Sequence, residues 1–249
     1  MAELSLAEGK ILDLINQVRE KPTSIVQQLE DMKKHFKKLE YCNPDLEFNV
    51  MTEEGEEAVE NCIAFLNAAP AVPKLVRKPE LDAAARKLAD DIGKNGTGTS
   101  SDEKLAMEVR IKEAKKESGS MAENVSFGWK DPAQIVLQML IDDGVKSRGH
   151  RKNFLSPTFT EVGIALSTHK IYNHCCVFDL FGKSQAQDKT FDKYEIDKSK
   201  WPENAVSLQK HLEMKVKDGK KTVKLTYEFK LQDGQITTIS QDFNEDATD

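Results

Sequence analysis

The chain has 249 residues, of which 39% are hydrophobic and 31% are charged, and its formal net charge is −6. This composition is typical of a globular protein and excludes a largely disordered chain, and an acidic chain without a dominant basic face is not expected to bind nucleic acid. No stretch approaches the ~20 consecutive apolar residues that a membrane-spanning helix needs, so no such segment is predicted.

The N-terminal sequence and the cysteines both bear on the compartment. The start "MAELSLAEGKILDLINQ" lacks a basic region followed by an apolar run, which predicts that the chain as given has no signal peptide and is cytoplasmic. The four cysteines, Cys42, Cys62, Cys175 and Cys176, form neither a Cys-x-x-Cys pair nor a zinc-binding spacing. We therefore expect four reduced thiols.

The N-terminal part of the chain is predicted to be helical. Apolar residues recur at helical spacing from Ile11, Pro22 interrupts the pattern, and Ser24 can start a second helix. The stretch "MTEEGEEAVENCIAFLNAAP" predicts a third helix with Thr52 as its N-cap. The Ala-rich stretch "KPELDAAARKLADDIGKN" predicts a fourth, which ends at Gly93 and is followed by a loop rich in Gly, Thr and Ser.

The next part of the chain mixes a helix with strands. The stretch "DPAQIVLQMLIDDG" predicts a helix that begins at Asp131–Pro132 and stops before Gly144. The stretch "TEVGIALSTHKIYNHCCVFDLFG" predicts two strands joined by a polar turn at His169–Lys170. Helices that alternate irregularly with antiparallel strands indicate a layered α+β domain rather than a parallel βαβ sheet.

The C-terminal part has a different pattern. Residues 184–205 are polar and are predicted to form a linker. Over residues 206–243, apolar residues alternate with polar ones, and Asp218–Gly219 and Asp233–Gly234 are hairpin turn signals. This pattern predicts a three-stranded antiparallel β meander with one apolar face, which must cover either the main domain or a partner.

Five segments, taken in order, resemble a known family. They are "ILDLINQVREKP", "LDAAARKLADDI", "AENVSFG", "IDDGVKSRGHRKNFLSPTFTEVGIA" and "CCVFDLFG". They resemble the CAP superfamily of cysteine-rich secretory proteins, antigen 5 and pathogenesis-related proteins (the SCP domain), and most closely its bacterial and protist-type members, which lack the animal disulfide framework. The resemblance covers residues 7–183, with a helical insertion at about 24–70. It implies an α-β-α sandwich whose central cleft holds two histidines and two acidic residues.

The resemblance also implies a set of site residues. Glu123 of "AENV" and His150 of "RGHR" match one acid and one histidine of the cleft, and the second acid falls on or beside Asp142. Thr99 takes the place of the other histidine, so the His/Glu tetrad of the family is degenerate in this chain. We expect Glu123 and His150 to lie within hydrogen-bonding reach, with Asp142 nearby.

The degenerate tetrad limits the metal chemistry of the cleft. Because threonine is a poor substitute for an imidazole ligand, Glu123, Asp142 and His150 would hold at most a weakly bound divalent metal such as zinc. No cofactor is required by this reading. Arg148 and Arg151, which flank His150, could fix the loop by pairing with Asp142, Asp143 or Glu161.

Three functional hypotheses follow. The first is a non-enzymatic CAP protein that binds a small apolar ligand, such as a sterol or fatty acid, or a protein partner, through its cleft or surface. The second is a metal-assisted hydrolase or peptidase that uses Glu123 and His150, although no G-x-S-x-G or H-E-x-x-H run is present. The third is an interaction protein that acts through the C-terminal meander and has a vestigial cleft. The missing histidine favours the first and third hypotheses.

Because most relatives are exported, secretion is the alternative to a cytoplasmic location, and no oligomeric state is predicted.

Overall fold

The computed structural model describes residues 2–44, 46, 48–183, 202, 204–217, 220–231 and 235–246. The chain forms two compact units, Met1–Ser184 and Gln185–Asp249. Most of the predicted linker, residues 184–201 and 203, lies outside the described residues. Within the part of the chain that the structure describes, no helix is both long and apolar enough to cross a membrane.

The first unit contains seven α-helices and seven strands among its described residues. The helices are α1 (Ala2–Glu20), α2 (Val26–Lys33), α3 (Glu56–Ala68), α4 (Pro79–Asn95), α5 (Met107–Lys115), α6 (Pro132–Ile141) and α7 (Gly149–Leu155). The strands are β1 (Phe36–Lys37), β2 (Glu40–Tyr41), β3 (Val50–Met51), β4 (Val76–Arg77), β5 (Gly119–Phe127), β6 (Glu161–His169) and β7 (Asn173–Lys183). The predicted mixture of helices and strands is confirmed.

The main sheet of this unit has the strand order β4-β6-β7-β5. Strand β7 pairs antiparallel with both β6 and β5, whereas β4 pairs parallel with β6. A smaller sheet contains β1, β2 and β3 in that order.

Helices cover both faces of the main sheet. Successive side chains of a strand point to opposite faces, so each strand contributes residues to the core on either side. On one face, Phe178 and Leu180 of β7 join the largest core cluster, which includes residues of α1, α3 and α6. On the other face, Cys175 and Val177 pack against Ala89 and its neighbours on α4. The sheet is therefore a buried middle layer between helices.

Two glycines let α4 lie close to β6. A Cβ atom added at Gly163 would be 2.1 Å from the carbonyl carbon of Leu81, and one added at Gly93 would be 2.2 Å from the carbonyl oxygen of Thr168. Both distances are shorter than any normal contact, so only glycine allows this separation. Gly93 thus serves the packing of α4 and does not end the helix as predicted, since α4 continues to Asn95 and ends at the left-handed Gly96.

The start of α3 also differs from its prediction. The N-cap is Gly55, which has a φ of 64°, and not Thr52. The Thr52 hydroxyl instead accepts a hydrogen bond from the Gly55 backbone and donates one to the Leu39 carbonyl. The threonine therefore connects the turn before α3 to the small sheet.

The second unit contains three strands among its described residues, β8 (Ala205–Lys217), β9 (Lys220–Leu231) and β10 (Ile236–Asp246). Both pairs of neighbours are antiparallel, with β9 in the centre. Leu225, Tyr227 and Phe229 of β9 form a buried apolar cluster. Of the predicted hairpin turns, residues 218–219 and 232–234 lie outside the described residues.

Candidate functional site: an aspartate–histidine pair beside an apolar cavity

The site begins at the C-terminal end of α6. Asp131 caps the first turn of this helix by accepting two backbone hydrogen bonds, and Asp142 ends the helix in a left-handed conformation with a φ of 57°. A short loop follows, in which Arg148 is also left-handed, with a φ of 52°. The left-handed conformation costs free energy for residues other than glycine, and such residues are typical of functional sites. They turn the chain so that His150 enters the first turn of α7.

Asp142 holds His150 through both of its carboxylate oxygens. Its Oδ1 lies 2.6 Å from His150 Nδ1, and its Oδ2 accepts a hydrogen bond of 2.9 Å from the His150 backbone nitrogen. The Asp142 side chain is only 1% exposed, whereas that of His150 is 32% exposed. Because Nδ1 faces the carboxylate, Nε2 is the ring nitrogen left for a ligand. Among the described residues, Nε2 of His150 makes no hydrogen bond.

The loop between α6 and α7 is tied to the segment that precedes α3. Both terminal nitrogens of Arg148 donate to the Glu54 carboxylate at 2.6 Å, and this pairing lowers the pKa of Glu54. In return, the Asp143 carboxylate accepts hydrogen bonds from the backbone nitrogens of Glu53 and Glu54, at 2.7 and 2.9 Å. Arg148 was expected to pair with Asp142, Asp143 or Glu161, but its carboxylate partner is Glu54. Its only bond to Asp142 is to the backbone carbonyl.

Glu123 lies on the face of β5 that points away from His150. Its neighbour Asn124 points towards α7, where its side chain donates to the His150 carbonyl at 3.0 Å. Because side chains alternate along a strand, Glu123 points the opposite way, and its carboxylate accepts a hydrogen bond from Arg110 of α5. The expected hydrogen bond between Glu123 and His150 is therefore not among those of the described residues.

Glu123 belongs to a buried charge cluster with Arg110 and Asp179. The Arg110 side chain is fully buried and donates to Asp179 Oδ2 at 2.5 Å as well as to Glu123. Asp179 lies directly opposite Glu123 in the pairing of β5 with β7. Burial, together with the nearby Glu123, raises the pKa of Asp179 to about 7 against the attraction of Arg110.

The structure does not bring the proposed metal ligands together. Thr99 is exposed in the loop after α4, and Glu123 pairs with Arg110, so only Asp142 and His150 of the four residues are in contact. In the described part of the chain, no group of three or more His, Cys, Asp or Glu residues is arranged to hold a metal ion. These side chains do not fit a divalent metal in the family position.

Three of the four cysteines do not supply a reactive thiolate. All four are free. Burial raises the pKa values of Cys62 and Cys175 to about 11 and that of Cys176 well above its usual value. These three thiols are therefore protonated at neutral pH and are poor nucleophiles.

Asp142 and His150 line one side of a cavity of about 300 Å³. The small sheet and α2 form one wall, and the end of β5 with α6 forms another. Most of the lining side chains are apolar or aromatic, namely Met32, Phe36, Tyr41, Val50, Met51, Val125, Phe127, Trp129, Leu137, Met139, Ile141 and Val145. Motif reasoning missed this cavity because one wall comes from residues 32–55, which match none of the segments that resemble the family. The concentration of aromatic residues and methionines in that stretch is the only sequence signal for it.

The comparisons with known proteins agree with the motifs. A model of the cysteine-rich secretory protein (CAP) family matches residues 12–180 of the chain. The chain belongs to the CAP family. Its CAP domain contains both the Asp142–His150 pair and the cavity. No curated protein and no solved structure shows significant similarity to the chain.

Proposed function

We propose that this CAP domain binds a small apolar ligand in the cavity beside Asp142 and His150. The observation that carries the proposal is the lining of the cavity, which is mostly apolar with a few polar groups. Ligand sites in proteins commonly have this composition. A volume of about 300 Å³ lies at the lower limit of the usual range of ~300–1,000 Å³ and favours a slender alkyl chain over a rigid multi-ring sterol.

The polar groups of the cavity suit the recognition of a ligand head group. Asp142 fixes the orientation of the His150 ring through Nδ1, so that Nε2 can exchange a hydrogen bond with the ligand. The side chains of Gln134 and Thr52 also line the cavity and offer further hydrogen-bonding atoms. A few fixed polar atoms in an apolar cavity would set the orientation of the bound chain.

A hydrolase is the weaker hypothesis. It would need a nucleophile or an activated water beside the histidine, together with donors for an oxyanion. Ser126, which follows Glu123 by three residues on β5, donates to the Gln138 side chain and, among the contacts of the described residues, is not paired with His150. Glu123, the proposed catalytic partner of His150, is held by Arg110. These contacts favour binding over catalysis.

Interaction through the C-terminal sheet is the third hypothesis. Leu225, Tyr227 and Phe229 of β9 are buried, whereas Ile236 of β10 is 63% exposed. No contact of the described residues favours this role over ligand binding.

Filling the cavity tests the proposal. Val50 of β3 lines the cavity, whereas Val76 of β4 does not and is 53% exposed. We expect the wild-type protein and Val76→Trp to bind the uncharged fluorescent probe N-phenyl-1-naphthylamine saturably, with one probe per chain. Val50→Trp should weaken binding at least about tenfold, equivalent to about 1.4 kcal/mol, because the indole occupies the space of the probe.

The control separates a blocked cavity from a general effect of the added indole. Both variants exchange valine for tryptophan on a two-residue strand, and circular dichroism checks that each is folded. Equal affinities of Val50→Trp and Val76→Trp, or no saturable binding by the wild-type protein, would refute the proposed site.

A further inference from the structure

The charged residues that line the cavity are unusual for a site that binds fatty acids. The acidic and basic residues of its lining are Asp142, Asp143 and His150, and the lining described contains no lysine or arginine. A ligand carboxylate would therefore lie near two aspartates with only His150 as a counter-charge. The Coulomb energy in a partly buried site opposes this arrangement and favours a cation.

The nearest arginines do not reverse this balance. The charge of Arg148 is neutralised by Glu54, which accepts hydrogen bonds from both of its terminal nitrogens. Arg151 donates to the carbonyls of Leu140 and Ile141 and to Asn61, so its donors are not available to a ligand. The positive charge of Arg151 offsets the negative charge of one aspartate at most. A net negative charge remains beside the cavity at Asp143.

Aromatic rings supply the second element of a cation site. Phe36 and Tyr41, whose ring centres are 5.1 Å apart, line the cavity from the small sheet, and Trp129 lines it from the segment after β5. The faces of aromatic rings carry negative electrostatic potential and attract cations, and recognition of quaternary ammonium groups uses such rings. The methionines of the lining, Met32, Met51 and Met139, are polarisable and adapt to alkyl groups.

The hydrogen bonds of the aspartates further distinguish between types of ammonium group. Both oxygens of Asp142 accept hydrogen bonds from His150, and both oxygens of Asp143 accept hydrogen bonds from the backbone of residues 53 and 54. A primary ammonium has three N–H donors that need acceptors when it leaves water. A quaternary ammonium has none, so its transfer into this cavity costs less.

From the lining charges and aromatic rings, we infer that the cavity selects an organic cation, an alkyl chain that carries a quaternary ammonium group. This inference rests on the proposed function, because it specifies the ligand of the same cavity. The alkyl chain packs among the apolar side chains, and the aromatic rings and the charge of Asp143 attract the ammonium group. The same charges exclude an alkyl carboxylate.

Three ligands of equal chain length test the charge preference. Octyltrimethylammonium, octan-1-ol and octanoate differ in the charge of the head group, and calorimetry measures their affinities for the full chain at neutral pH and low salt. We expect the cation to bind at least about tenfold more tightly than the alcohol, and octanoate to bind more weakly than either. Added salt should reduce the preference for the cation because it screens the aspartate charge.

Two pairs of variants separate a specific site from a general attraction to an acidic protein. Asp143→Asn removes the charge at the cavity. Asp131→Asn removes the charge of another aspartate that accepts two backbone hydrogen bonds, but one that is exposed and does not line the cavity. Likewise, Phe36→Leu removes a ring of the lining, whereas Phe243→Leu removes a ring of β10 that does not line the cavity.

We expect Asp143→Asn to weaken binding of the cation about tenfold, and Phe36→Leu to weaken it about threefold to tenfold, with octan-1-ol little affected. Asp131→Asn and Phe243→Leu should bind like the wild-type protein. Tighter binding of octanoate than of the cation, or equal effects within either pair of variants, would overturn the inference. Saturable binding of N-phenyl-1-naphthylamine would then still support the proposed function, whereas its absence would refute both.

Discussion

Asp179 is a residue whose ionisation is strongly altered by the fold. It is completely buried beside Arg110 and opposite Glu123, and its pKa is raised to about 7. Desolvation is the largest cause, since it penalises the charged carboxylate. The cluster therefore connects α5 to the sheet, but at the cost of keeping Arg110 and Asp179 away from water.

This raised pKa predicts how stability depends on pH. The pKa of Asp179 is near 3.8 in the unfolded state and about 7 in the folded state. Between these two pKa values, the folded state therefore holds more protons than the unfolded state. The contribution of Asp179 to the free energy of unfolding is therefore fully present below about pH 4, decreases as the pH rises, and levels off above about pH 7.

Asp179→Asn should remove this dependence. We expect the free energy of unfolding of the variant, measured by urea denaturation, to decrease less than that of the wild-type protein between about pH 4 and pH 7. Asp13→Asn, on the exposed side of α1, is the matched control and should keep the wild-type slope. An unchanged slope in Asp179→Asn would show that Asp179 does not titrate in this range.

The same cluster shows how far motifs predict individual residues. The motifs selected Asp142 and His150, which are in contact, but they also selected Glu123, which pairs with Arg110. The direction of a side chain on β5 is hard to read from sequence because helices cover both faces of the sheet. The sequence of β5, "GSMAENVSF", lacks the clear alternation of apolar and polar residues that would identify the face of Glu123.

Among the secondary-structure elements, α4 is the most closely packed on the sheet. Its Gly93 leaves no room for a methyl group, whereas a Cβ atom added at Gly9, in the middle of α1, would meet no atom within 4 Å. Replacing each of these two glycines with alanine therefore separates the effect of packing on stability from the effect of helix propensity. Both positions would gain about 0.8–1 kcal/mol of propensity from alanine, but only Gly93 would also incur a steric cost.

We expect Gly93→Ala to lower the free energy of unfolding by about 1–3 kcal/mol, and Gly9→Ala to raise it by up to about 1 kcal/mol. Thermal unfolding followed by circular dichroism measures both changes. If Gly93→Ala is as stable as Gly9→Ala, the close approach of α4 to the carbonyl of Thr168 is incorrect.

The sequence was more informative for long helices than for short ones. The starts and periodic apolar faces of α4 and α6 are visible, but α5 and α7 were not predicted. In α5 only Arg110 and Ile111 are buried, so the helix has almost no apolar stripe. Helix α7 has seven residues and begins with glycine, and its position depends on the bonds of Asp142 to its first turn. Such tertiary contacts are not visible in a local pattern.

At the scale of the whole molecule, the cavity joins parts of the CAP domain that are far apart in sequence. Residues 32–55 supply one wall, and residues 125–150 supply the other. The bonds of Glu54 to Arg148 and of Asp143 to the backbone of residues 53 and 54 connect these two segments. The family motifs predicted the α+β domain, whereas the cavity results from packing between a motif segment and a segment without one.

The most direct measurement of the central claim is a methyl NMR titration of the full chain with octan-1-ol, using labelled methionine, leucine and valine methyl groups. We expect saturable shifts at the methyl groups of Met32, Val50, Leu137 and Met139, which line the cavity, and none at Val18 or Leu66, which are buried elsewhere in the core. Absence of shifts at the cavity methyl groups at saturating ligand, or shifts confined to residues 205–246, would contradict the account.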